Sequence, residues 1–169
     1  HEKRILYYKM HLYIGKCVTR RTKMIRRLTE EDRELYIEMA QEFYHSDAVL
    51  HPVPESYIEA TVNEALRSDA YTKIYMIEWE SEPAGYAVTA KSFSQEAGGY
   101  VVWIEELYIR EEFRSKGLGR EFFAMIEQSK EPGVARLRLE VEADNTRAVS
   151  LYERLGYKVL DYVQMIKEI

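Results

Sequence analysis

Arg114-Ser115-Lys116-Gly117-Leu118-Gly119 joins two stretches of different period. Before it, Tyr100 to Ile109 reads as a strand. After it, Leu118, Phe122, Met125 and Ile126 fall on one helical stripe. Glycines at alternate positions let the backbone turn its N–H groups inward, and a helix start adds a positive dipole end, so the segment suits a pyrophosphate. Arg114, Lys116 and Arg120 add positive charge. The dinucleotide fingerprint is not met, because Phe122 stands where its third glycine would be, and no Gly-Lys-Ser/Thr ending makes a nucleotide P-loop. Spacing alone is equally consistent with a tight strand-to-helix turn, so the flanking elements must decide.

Upstream, Met24 to Arg27 reads as a short strand. Thr29 with Asp32 can cap a helix carrying Leu35, Met39 and Phe43 at four-residue spacing. Ile58, Thr61, Val62, Ala65 and Leu66 predict a second helix over 55–68. Ile74 to Ile77 is a continuous apolar run, as in a strand covered on both faces. Strands Gly85 to Phe93 and Tyr100 to Ile109 then follow with short connections, an antiparallel meander. Downstream, Pro132-Gly133 ends the third helix. Leu137, Leu139 and Val141 alternate with charged residues as a half-buried strand, and Ala148, Leu151, Tyr152 and Leu155 mark a fourth helix closed by Gly156. Tyr157 to Leu160 and Val163 to Ile169 fit two final strands. The order is β-α-α-β-β-β-α-β-α-β-β, one mixed α/β domain over 24–169.

The 169 residues carry 24 Lys+Arg against 29 Asp+Glu, for a formal net charge of -5. A hydrophobic fraction of 46% with 31% charged excludes a disordered or collagen-like chain and predicts a soluble globular domain. No stretch approaches the roughly 18 uninterrupted apolar residues of a membrane span, so no membrane partner is expected. Cys17 is the single cysteine and the four histidines show no His-Glu-x-x-His spacing, so neither a disulfide nor a metal site is expected. The default setting is cytoplasmic. Residues 1–23 hold 7 basic residues and 1 acidic, leaving 17 against 28 in the remainder. They read as a cloning-derived or upstream extension, either a functionless tail or a basic arm. With no aromatic platform behind that arm and an acidic body, nucleic acid is not expected as a partner.

Beyond the glycine segment lies a second motif. Asn145-Thr146-Arg147-Ala148-Val149-Ser150-Leu151-Tyr152-Glu153-Arg154-Leu155-Gly156-Tyr157 directly follows an alternating strand. With Arg114 to Gly119 and the strand Ile104-Glu105-Glu106-Leu107-Tyr108-Ile109, it resembles the GNAT superfamily of acetyl-CoA-dependent N-acetyltransferases. The likeness covers nearly all of 24–169, including element order. It implies a mixed, mostly antiparallel sheet, flanked by helices, whose fourth and fifth strands splay apart around the cofactor. It further implies that Arg114, Ser115, Lys116, Gly117, Leu118 and Gly119 present backbone N–H groups to the pyrophosphate of coenzyme A. Leu107, Tyr108 and Ile109 would pair their backbone with its pantetheine arm. Asn145 matches the family's cofactor-side asparagine, or is simply a helix N-cap. A homodimer is implied by analogy.

Tyr152 matches the tyrosine that family members place near the thioester sulfur, where its hydroxyl protonates the departing thiolate. Amide formation also needs a neutral amine, so a base or a water chain must take its proton. Glu105 and Glu106 interrupt an apolar strand, where burying charge is costly. Strand alternation predicts that they face opposite sides. Glu105, nine residues before Arg114, is similar to the base glutamate of spermidine/spermine acetyltransferases; many other members place theirs two residues earlier, here Trp103. Glu105 is the first candidate base and Glu106 the second. The backbone N–H of Leu107 is the candidate oxyanion donor. Tyr44, His45, His51, Tyr57 and the Phe93 to Gly99 loop fall where the family builds its acceptor pocket. The acidic body favours a cationic acceptor such as a polyamine, an aminoglycoside or a lysine-bearing peptide. The expected reaction is direct attack of a primary amine on acetyl-CoA in a ternary complex. Acetylation of protein N-termini or lysines, or an acyl-CoA sensor without turnover, remain as other readings.

Overall fold

The computed structural model describes residues 22–46, 52–129 and 131–168. Residues 1–21 and His51, and with them all but the last two residues of the expected extension over 1–23 and one candidate acceptor residue, lie outside the described residues. The elements are β1 (Lys23–Arg27), α1 (Arg33–Tyr44), α2 (Glu55–Arg67), β2 (Thr72–Trp79), β3 (Glu82–Ser94), β4 (Gly99–Ile109), α3 (Leu118–Gln128), β5 (Val134–Leu139) and α4 (Thr146–Arg154). One sheet runs β1-β2-β3-β4-β5, antiparallel except for the parallel pair β4–β5. Lys23 thus belongs to the domain, opposite Trp79. Asp32 accepts from both the backbone N–H and the hydroxyl of Thr29, at 2.9 Å each, which fixes the entry into α1.

The continuous apolar run of β2 is explained by a core on each side of the sheet. Ile74, Met76, Tyr86 and Val88 pack with Tyr36, Met39, Ile58 and Val62 under α1 and α2. Ile77, Ala87 and Ile104 pack with Leu118, Phe122, Phe123 and Ile126 under α3. Such a sheet has no solvent face along its centre, so simple alternation gives way to unbroken apolarity.

Two expectations need correction. The final strands expected at 157–160 and 163–169 do not form among the described residues. Residues 157–168 carry no regular secondary structure, and Val159, Leu160, Tyr162, Val163, Met165 and Ile166 are exposed. Their composition supplies strand propensity, but a strand exists only with a partner ladder, and β5 pairs only with β4 among the described residues. Likewise β5 stops at Leu139, and Val141 is exposed beyond it.

Candidate acetyl-transfer site

Pairing between β4 and β5 runs from Tyr100↔Val134 to Ile104↔Leu139 and then ceases, while β4 continues to Ile109. Five residues of β4, Glu105 to Ile109, therefore have β3 on one flank and an open edge on the other. Arg110 N donates to Ala84 O at 2.9 Å, and in an antiparallel ladder such pairs alternate. Tyr108 and Glu106 hence turn their peptide groups toward β3. The N–H and C=O groups of Leu107 and Ile109 face the flank that β5 vacates, where an extended chain could pair with them.

That flank leads to the glycine segment. Ser115 (φ 63°) and Gly117 (φ 80°) both adopt left-handed backbone at the start of α3. Alternating backbone handedness of this kind makes a concave nest of N–H groups, which with the helix N-terminus fits a pyrophosphate. Gly119 lies beside Leu107, where a Cβ would stand 3.6 Å from its methyl in ordinary contact, so the segment abuts β4. Arg114 and Lys116 turn back to the backbone: Arg114 Nε donates to Ile109 O at 3.1 Å and Lys116 Nζ to Glu112 O at 2.7 Å. They hold the turn in shape. Arg147, which sequence reading passed over, reaches from α4 to donate to Ser115 Oγ at 3.0 Å. Its signal was only its place two residues after Asn145.

Asn145 is the N-cap of α4, its Oδ1 accepting from Ala148 N at 3.2 Å. Tyr152 lies half-buried on that helix, its ring against Phe123 and Tyr157 at 5.5 and 6.0 Å between centroids. Burial raises its hydroxyl pKa, so the group stays protonated at neutral pH.

The two glutamates correct the expectation that they face opposite sides. Across β3, Thr89 pairs with Ile104 and Val88 with Glu106, so Glu105 is an extra residue in β4, a β-bulge. Alternation is interrupted at that residue. Both carboxylates line one cleft of about 430 Å³, facing Ala60, Thr61 and Glu64 of α2 and bounded by Thr72 and Val88. Glu106 is largely buried and accepts hydrogen bonds from Tyr44 (2.5 Å) and Tyr86 (2.8 Å). Burial raises its pKa, while the two hydroxyls pull the other way. Glu105 stands at the solvent-open rim but is crowded by protein. That desolvation first, and then the charges of Glu140 and Glu106, raise its pKa. Tyr44 thus joins the site. His45 instead contacts Gln41 O at 2.7 Å, while Tyr57 and Phe93 are exposed, the Phe93 ring edge-on to Tyr100. Tyr86, Glu64 and Glu140 were missed: Tyr86 and Glu64 sit in elements whose local pattern is explained by packing or surface pairing, and Glu140 lies just past the end of β5.

The open end of β4 thus borders the cleft at Glu105 and Glu106 and the glycine segment at Leu107, and this agrees with what the chain resembles. The family model for the Acetyltransferase (GNAT) family matches residues 28–157. The chain belongs to that family. A thialysine N-epsilon-acetyltransferase of Caenorhabditis elegans is 32% identical over 108 residues, 62% of this chain and 64% of that protein. An uncharacterized N-acetyltransferase of Escherichia coli K12, YjgM, is 32% identical over 89 residues, 52% of each. The chain thus spans about half to two-thirds of these relatives. Among solved structures, AAC(6')-Iy in complex with the bisubstrate analogue CoA-S-monomethyl-acetylneamine superposes with a TM-score of 0.73 at 16% identity, covering 88% of this chain and 99% of that one. This last likeness establishes the GNAT fold: a mixed α/β sheet opening between β4 and β5.

Proposed function

We propose that this protein transfers an acetyl group from acetyl-CoA to a primary amine of a small cationic acceptor, by direct attack within a ternary complex. The observation that carries the reading is the vacated flank of β4 over 105–109, which has the two-glutamate cleft at one end and the nest over 115–119 against Leu107. Acetyl-CoA, when bound, supplies an activated thioester. The nest would hold its diphosphate through peptide N–H groups, and Leu107 and Ile109 would hold the pantetheine arm. The Leu107 N–H donates to the carbonyl oxygen as charge develops there, a contribution often worth about 3 kcal/mol.

Glu105 takes the proton from the incoming ammonium. Its raised pKa brings it nearer to that of the amine than an ordinary carboxylate, while its place at the rim gives the proton an exit to solvent. Tyr152, kept protonated by burial, supplies a proton to the leaving thiolate and is replenished by the second proton that the attacking nitrogen sheds as the amide forms. The surplus of acid in the cleft and over the body favours encounter with a cation. The named acceptor classes of the relatives, thialysine and an aminoglycoside analogue, are small amines, which agrees with this choice. The test is acetyl-CoA-dependent thiol release against polyamines, aminoglycosides, amino acids and lysine-containing peptides. We expect a small cationic amine to raise the rate well above background hydrolysis. Activity confined to peptides would overturn the choice of acceptor, and silence across the panel would overturn catalysis.

A further inference from the structure

Glu106 is a buried carboxylate without a counter-ion. Its two oxygens accept from the hydroxyls of Tyr44 and Tyr86, at 2.5 and 2.8 Å, and no lysine or arginine pairs with it among the described residues. Buried charges are ordinarily paired, because neutral donors recover only part of the lost hydration. The acids around it deepen the deficit. Glu105 shares the cleft and Glu140 stands near Glu105, while Glu64 across the cleft bonds Arg67 on its own helix.

The arrangement around Glu106 is built. Tyr44 ends α1, and Tyr86 sits fully buried in β3 with its ring edge-on to Tyr36 at 4.9 Å, so the two hydroxyls approach from different elements. Because the bulge places consecutive residues on one side, the two carboxylates are a single residue step apart within a cleft large enough for a short aliphatic chain. One of them has both oxygens engaged and lies deep. The other is free at the rim and suited to move a proton.

We propose that Glu106, positioned by Tyr44 and Tyr86, is the seat for a second positive charge on the acceptor, so that the preferred acceptors are short aliphatic diamines. The proposal rests on the acetyl-transfer reading and divides the labour of the two glutamates: Glu105 serves the reacting nitrogen, Glu106 the distant one. A monoamine of the same length leaves Glu106 without its cation and loses that attraction.

The experiment compares 1,4-diaminobutane with n-butylamine in thiol release, using the full chain and acetyl-CoA. A charged hydrogen bond predicts a preference for the diamine of about tenfold or more in kcat/KM. Glu106→Gln should bring the two amines to within about threefold, chiefly by raising the diamine KM. Tyr44→Phe should move the ratio the same way by a smaller amount, and Glu106→Asp should keep part of the preference. Calorimetric binding of coenzyme A to each variant separates these effects from misfolding, and Tyr44→Phe serves if Glu106→Gln does not fold. Equal use of both amines by the unmodified protein, a preference that survives Glu106→Gln, or an equal fall in kcat for both amines would overturn the seat and leave acetyl transfer standing. Failure of the unmodified protein to acetylate either amine would overturn the seat, and the wider acceptor panel then reads separately whether acetyl transfer stands.

Discussion

At the scale of single residues, burial separates groups that share a chemistry. Glu105 and Glu106 are both pushed upward by desolvation, but only Glu106 is held by hydroxyls and only Glu105 is open at the rim. The proposed base role requires an ionised Glu105, so kcat/KM should fall as pH drops through a pKa above the usual glutamate range. Glu105→Gln should cost most between that pKa and the pKa of the amine, where the carboxylate is ionised and the amine still protonated, and the two pH–rate profiles should converge at lower pH; parallel curves for the two proteins would move the role elsewhere. Tyr152→Phe should lower kcat at least tenfold with little change in coenzyme A affinity, read by single-turnover kinetics and calorimetry. Glu105, Glu106 and Tyr152 were legible as interruptions of apolar patterns and as motif positions. The Tyr44–Glu106–Tyr86 contact was not, because its partners lie 62 and 20 residues from Glu106 in sequence and only the sheet and α1 bring them together.

At the scale of elements, the sequence shows strands and helices through their periods, and the order through α4 agrees with the structure. The bulge escaped it for a definite reason. An extra residue leaves no mark in the composition of one strand and becomes visible only when β4 is aligned on β3. The final strands failed the opposite way: apolar, β-branched residues predicted them, and no ladder receives them. The β3–β4 pair also sets a limit on substitution. A Cβ at Gly85 would stand 2.1 Å from the Tyr108 carbonyl oxygen, which is backbone and cannot swing aside. Gly85→Ala should therefore destabilise by about 2 kcal/mol or more, seen as a fall in Tm of roughly 5 °C or more. An unchanged melting curve would mean that the two strands part more easily than their register suggests.

For the whole molecule, one cluster ties the sheet edge to the helical layer. Arg26 on β1 donates to both oxygens of Asp32 at 2.6 and 2.7 Å and to Glu78 on β2 at 2.8 Å. The guanidinium, with the Thr29 N–H, pulls the Asp32 pKa down to about 2 from 3.8. Since the folded value is the lower one, this stabilisation is present above about pH 4 and is lost as pH falls toward 2, on the order of 2 kcal/mol in all. Asp32→Asn should lower stability near neutrality and flatten its acid dependence in that window, as urea titrations at several pH values would read. The bulge carries its own consequence for the chain as a whole. Ile104 lies opposite Thr89 and Glu106 opposite Val88, with Glu105 between them and unpaired. Glu105 is thus a residue of β4 that could be deleted without misaligning the strands, and its deletion would let the ladder close. A shortened chain lacking Glu105 should melt at a higher temperature and, on the role proposed for that carboxylate, transfer acetyl groups more slowly: a residue the sheet can do without, kept for the site.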